Sequence, residues 1–355
     1  MSTRQVSRWV FCVVLAATSL PAAAQTHAPW PTDWNNWNDP ALMATVGDPG
    51  NAGELSGAGV GVPGSYGVDR ICGAVAYTYK IGKFEVTAGQ YMTFLNAVAK
   101  ADTYGLYNPN MMNSSGCQIQ RSGLSGSYMY SVSSDYANRP VNYVGWGDAA
   151  RFVNWLTNGQ PQGAQTASTT EDGSYYLNGA TTDEAIMAVT RKANAQYVIP
   201  TEDEWYKAAY YKGGSTNAGY WDYPASSDVA PGRDMADVSG NNANHYGTPY
   251  PIEPSKYFTV VGEFQNSANH YGTFDQDGNV MEKNETIVDA GNRGVRGGSC
   301  GSHGGSDMIA SARNAGWPSY EFDTQGFRIA LVPEPATLSL LALGGLALLR
   351  KRRAA

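Results

Sequence analysis

Four histidines and four cysteines are few for a chain of 355 residues. His27, His245, His270 and His303 have no spacing that suits a three-histidine iron site. No H-E-x-x-H helix and no G-x-S-x-G elbow occurs, so the usual zinc-protease and serine-hydrolase arrangements are excluded. No glycine-rich phosphate loop follows a strand pattern. No apolar run reaches the roughly 20 residues of a good membrane-spanning helix.

What is present begins at the two ends. Residues 1–24 have the order of an export signal: Arg4 and Arg8, the apolar WVFCVVLAATSL, then small residues before a cut after Ala24. Residues 333–355 start with Pro333-Glu334-Pro335. A short apolar helix follows over 336–349, then a basic end, Arg350, Lys351, Arg352 and Arg353. Basic residues behind an apolar run hold a tail on the cytoplasmic side, which suits transient inner-membrane anchoring. In that order the three features resemble the PEP-CTERM sorting tail. The resemblance implies processing by an exosortase-type enzyme and a destination at the cell surface or outside the cell.

The chain has 24 Lys and Arg, six of them in the two ends, against 31 Asp and Glu, of which only Glu334 lies there. The part between is therefore acidic. That disfavours nucleic acid or an anionic membrane as partner and suits a divalent cation. Cys12 leaves with the signal. In an oxidising compartment one disulfide is expected. Cys72–Cys117, flanking the first helix, is the pairing expected here, with Cys300 left free, although spacing does not fix connectivity.

Residues 25–70 are rich in Pro, Gly and Asn and read as an extended arm. Polar stretches near 158–182 and 213–250 read as long surface loops. Three helices stand out. TAGQYMTFLNAVAKA opens with a Thr87–Gln90 capping box, and PTEDEWYKAAYYKGG with a Thr201–Glu204 box before Gly213–Gly214. GDAARFVNWL places Phe152, Val153 and Leu156 on one face. Glu202 and Glu204 stand in a helix first turn, where acids favour the dipole. Strand composition marks YTYKIGKFEV, AQYVIP, TVVGEF, GVRGG and GFRIALV. The fold class is α+β, one domain over 71–332.

Seven stretches then occur in one order: IGKFEVTAGQYMTFLN, RPVNYVGWGDAARFVNWL, IPTEDEWYKAA, YGTFDQDGNVMEKN, RGGS, SARN and GFRIA. Together they resemble the formylglycine-generating enzyme, or sulfatase-modifying factor, family. The resemblance implies a C-type-lectin-like fold with few helices, short strands and long ordered loops. It also implies structural calcium and, in active members, a copper-dependent oxidation of a substrate cysteine.

Copper(I) is selected by soft thiolates, and active members carry two cysteines five residues apart after the Gly-Gly-Ser turn. Counted forward from that turn, those places fall on Ser302 and Asp307; counted back from Arg313, on Cys300 and Gly305. Neither register supplies a pair, so copper is not expected. Cys300, His303 and Ser302 are the remaining catalytic candidates. Arg296, Arg313, Asn314 and Arg328 are candidates for a ligand pocket; the arginines read equally as clamps on buried carboxylates. A hard cation wants six to eight oxygens. By resemblance, calcium would take Asp275, Gly278, Val280 and Glu282, and a second calcium would start at Asn244 and His245.

The function expected is an exported binding module, calcium-stapled and without the oxidase activity, that recognises a polysaccharide or an exported peptide. A copper-dependent oxidase acting on an exported protein is the alternative, and a structural coat protein the third.

Overall fold

The computed structural model describes residues 33, 35–37, 39, 41–56 and 70–333. The export signal and the sorting tail beyond Pro333 lie outside the described residues.

Two short strands come from the expected arm, β1 (Met43–Val46) and β2 (Glu54–Ser56). β3 (Arg70–Cys72) pairs with β2, and β4 (Tyr79–Gly82) with β1. Two strands of the arm thus pair with strands that follow it. α1 (Ala88–Val98) follows, capped as expected by Thr87 and Gln90. β5 (Gln120–Ser122) and β6 (Met129–Ser131) form a small hairpin ahead of α2 (Ser134–Ala137). α3 (Trp146–Thr157), α4 (Asp183–Met187), β7 (Tyr197–Val198) and α5 (Glu202–Tyr210) complete the first part. The second part is strands: β8 (Met281–Ile287), β9 (Arg293–Arg296), β10 (Asn314–Gly316), β11 (Gln325–Gly326) and β12 (Ala330–Leu331).

The main sheets have four strands each, β1-β4-β12-β7 and β10-β9-β8-β11. All pairs are antiparallel except β8 with β11. The first sheet carries the largest core. Phe152 meets Phe94 edge-on at 5.3 Å and Phe327 at 5.5 Å, so α1, α3 and the last strand region share one aromatic knot. Each such buried side chain contributes about 1.5–3 kcal/mol.

Three expectations change. α3 is buried on all sides from Trp146 to Leu156, not on one face. Its polar residues find partners in the loop 158–182, which lies over the helix. Arg151 pairs with Glu171, and Asn154 donates to the carbonyls of Thr170 and Tyr175. TVVGEF is not a strand. Its Val261 amide goes to the Asn138 carbonyl and its Glu263 amide to Val260, which makes turns. The Cys72–Cys117 disulfide is not formed. Both thiols are free and buried, Cys72 beside Trp205 and Tyr206, Cys117 in the main core.

Candidate functional site

β9 runs into the turn Gly297–His303. Gly297 and Gly298 have φ of +98° and +69°. A Cβ on Gly297 would lie 2.8 Å from the Gln276 carbonyl oxygen, so glycine is required there. The Ser299 amide then donates to Ser302 Oγ (3.0 Å) and the Ser302 amide to the Ser299 carbonyl (2.9 Å). This reciprocal pair turns Cys300 inward. Its amide donates to the Asn279 carbonyl, and its side chain packs with Phe258, Val280 and Tyr257. Burial pushes the thiol up to about 12, with Tyr250 hydrogen bonding against that shift and the Asp323 charge adding to it. Burial therefore favours the protonated thiol at neutral pH.

His303 is on the other side of this turn. It is exposed and lies against the Tyr246 ring at 4.4 Å. Cys300 inside and His303 outside do not form a metal pair. Among the described residues no three His, Cys, Asp or Glu side chains converge as metal ligands. Ser302 is buried and serves the turn.

Around the turn stand partly exposed rings. Tyr246 and Tyr250, 43% and 39% exposed, are 4.9 Å apart, and Tyr250 reaches Tyr257 at 5.7 Å. A second string comes from residues 317–322. Trp317 (61% exposed), Tyr320 (45%) and Phe322 (40%) follow one another at 6.1 and 4.2 Å. Thr324, two residues past Phe322, and Tyr250 both lie 3.8 Å from the Cβ position of Gly301, which puts the two strings beside the same turn.

The loop bearing the second string is fixed from beneath. Trp146 donates to the Pro318 carbonyl, Ser319 to Asp183, Lys283 Nζ to the Tyr320 carbonyl, and Tyr143 to the Phe322 carbonyl. Asn142 holds the Asp323 carbonyl at 2.6 Å. The rings are open while their backbone is anchored. A search for the usual catalytic residue types, His, Cys and carboxylates, passes over this loop; its signal in the sequence is the density of aromatics in WPSYEF.

The arginines do not line a ligand pocket. Arg296 donates twice to Glu202 Oε1 (2.9 and 2.7 Å), and Arg313 donates to both oxygens of the same carboxylate. Arg70 joins from β3 at 3.2 Å. Burial alone would raise Glu202, but Arg296 and Arg313 outweigh it and hold the carboxyl below its ordinary value. Arg328 grips Glu282 at 2.5 and 2.6 Å, and Trp205 Nε1 donates to the same group at 2.6 Å. All three arginines are buried clamps. Asn314 is half-buried and paired with Val295 in the sheet.

Two of the side chains expected to hold calcium have partners within the chain. Both Glu282 oxygens are taken by Arg328, and Asp275 Oδ2 accepts from the Gly262 amide at 2.5 Å. In the second set, Asn244 gives its backbone carbonyl to the Asn279 amide while its side-chain Oδ1 is buried without a partner, and the His245 nitrogens rest against the carbonyls of Pro231 and Tyr246. Gly278 is needed for a different reason: at φ +94° its Cβ position lies 2.3 Å from the Asn244 carbonyl. Buried oxygens of Glu85 and Asp277 have no hydrogen-bond partner. Burial first, then the neighbouring Asp275 charge, raises both carboxyls well above the ordinary range, and burial raises Asp275 to about 7.

The fold, a single-thiol turn framed by arginine clamps, and a sorting tail define an exported protein of the formylglycine-generating-enzyme fold. Residues 74–332 match the model of the sulfatase-modifying factor enzyme 1-like domain, and the chain belongs to that family. Residues 331–353 match the PEP-CTERM protein-sorting motif, which implies handling at the membrane by exosortase-type machinery. No helix among the described residues is long and apolar enough to cross a membrane. No curated protein matches the chain.

Three solved structures are similar at low identity. Treponema denticola variable protein 1 is 18% identical, with 82% of this chain and 95% of that chain covered and a TM-score of 0.47. A protein described as CarF is 20% identical over 82% and 98%, with a TM-score of 0.46. PvdO from Pseudomonas aeruginosa is 20% identical over 82% and 94%, with a TM-score of 0.48.

Proposed function

We propose that this exported protein is a binding module that recognises a polysaccharide through the aromatic surface around the Ser299–His303 turn. The observation that carries this reading is the pair of open ring strings, Tyr246–Tyr250 and Trp317–Tyr320–Phe322, on an anchored backbone. Exposed aromatic patches mark interaction sites. Tyr and Trp offer rigid, amphipathic area at low entropy cost, and a fixed backbone lowers the ordering cost of binding. The family's turn is kept as a wall, with its one thiol buried. Arg328 and Glu282 fix the adjoining loop where calcium was expected.

The test is binding of the purified protein to an array of bacterial polysaccharides and peptides. Trp317→Ala and Tyr320→Ala should each weaken polysaccharide binding about ten-fold, close to 1.4 kcal/mol, without changing the melting temperature. Binding to peptides alone, or binding unaffected by both substitutions, would overturn the reading.

A further inference from the structure

The sorting motif and the folded domain overlap in sequence. The motif match begins at Leu331, and the domain match ends at Val332. Leu331 stands in β12, opposite Lys80 on one side and Tyr197 on the other. The Val332 amide donates to the Gln196 carbonyl at 3.1 Å. Pro333, which has no amide hydrogen, ends the ladder. The motif thus starts on the first sheet, with no spacer before it.

Strand alternation buries Ala44, Val46, Tyr79 and Ile81, and leaves Thr45 and Lys80 exposed on the outer face of this sheet. Thr45, Lys80 and Leu331 are in register across β1, β4 and β12. With Thr78, Gln196 and Pro333 they line a groove of about 420 Å³, which is in the size range of binding clefts. Leu331, Val332 and Pro333, all half-buried, give the groove its apolar surface, and Lys80 is its charged side chain.

We infer that this groove is a docking surface for the exosortase-type protein that handles the motif, which reads the folded sheet as well as the tail. Pro333 belongs both to the motif and to the groove lining. Covalent geometry keeps the two residues after it within about 7 Å along any path. A protein that grips Pro333-Glu334-Pro335 must therefore come down beside this face. Even a transient interface of about 600 Å² per partner is a disc about 14 Å in radius. Thr45 is two strand spacings from Leu331, roughly 10 Å, and falls beneath that footprint. The lining sets the partner's chemistry: an apolar surface against Leu331, Val332 and Pro333, with a carboxylate placed for Lys80. Recognition then requires the first sheet to be formed, so an unfolded chain offers the tail without the docking face.

Photo-cross-linking tests this in the full chain, made in cells together with a tagged exosortase-type protein of the same genome. A photoreactive amino acid replaces Thr45 in the groove, Lys100 on exposed surface outside the groove lining, or Thr337 within the motif. Thr45 and Thr337 should each label the tagged protein, and Lys100 should not. Lys80→Glu sets like charges against each other and should cut the Thr45 label about ten-fold, close to 1.4 kcal/mol. Lys80→Gln, which removes the charge without reversing it, should cut the label less. Melting temperatures of all variants report folding and should not change. Labelling from Thr337 without labelling from Thr45 would show that the tail alone is read, and would overturn the inference. Absence of labelling from both positions overturns it too, as does a Thr45 label indifferent to Lys80→Glu.

Discussion

Arg328 holds Glu282 through two hydrogen bonds of 2.5 and 2.6 Å, with neither side chain exposed to solvent. The pair ties the end of the chain to β8. Arg328 also reaches the carbonyls of Gly82 and Phe274, so one guanidinium joins both main sheets and the loop before β8.

Removing one partner leaves a buried charge alone. Arg328→Met should therefore destabilise the protein by about 3–5 kcal/mol. Urea denaturation followed by tryptophan fluorescence measures this. A loss below about 1 kcal/mol, the worth of a typical surface pair, would show that the clamp is not a structural joint.

The same pairing bears on calcium. With Glu282 committed to Arg328, saturating calcium should leave the melting temperature unchanged, and so should excess chelator. A ligand that binds only the folded form stabilises by mass action, by about 2.7 kcal/mol at one hundred times its dissociation constant. A clear rise with calcium, lost in Glu282→Ala, would mean that Glu282 leaves Arg328 for the ion.

Asp148 gives a pH signature. Burial first, then the Glu321 charge, raises its carboxyl from 3.8 to about 8; the Gly145 amide and Arg151 act against the shift. A carboxyl raised in the folded state binds more protons there than in the unfolded chain. Its stabilising effect is complete below its ordinary value and is lost as pH rises through the folded value. Stability should thus fall between pH 3.8 and about 8 through this group. Asp148→Asn keeps an acceptor for the Gly145 amide and should flatten that fall. Melting temperatures across this range decide it, and an unchanged slope in the variant would contradict the assignment.

Local chemistry made several elements legible. The Thr87–Gln90 and Thr201–Glu204 capping boxes form as read, because each needs only four consecutive residues. The Gly-Gly-Ser turn forms where positive φ demands glycine. Long-range pairings were not legible. Arg296 and Arg313 meet Glu202 from 94 and 111 residues away, so the sequence showed an arginine able to clamp but not its carboxylate. α3 looked one-sided because the loop that satisfies Arg151 and Asn154 lies beyond the helix. The aromatic loop 317–322 escaped because its openness depends on five anchoring residues from three other stretches of the chain.

We propose that the family's turn is kept here without soft-metal chemistry, and competition titration of the purified protein with copper(I) checks this. One buried, protonated thiol on Cys300, with His303 turned to solvent, predicts no tight stoichiometric site and no difference between the native protein and Cys300→Ser. One copper(I) bound tightly per chain, and lost in Cys300→Ser, would contradict the account.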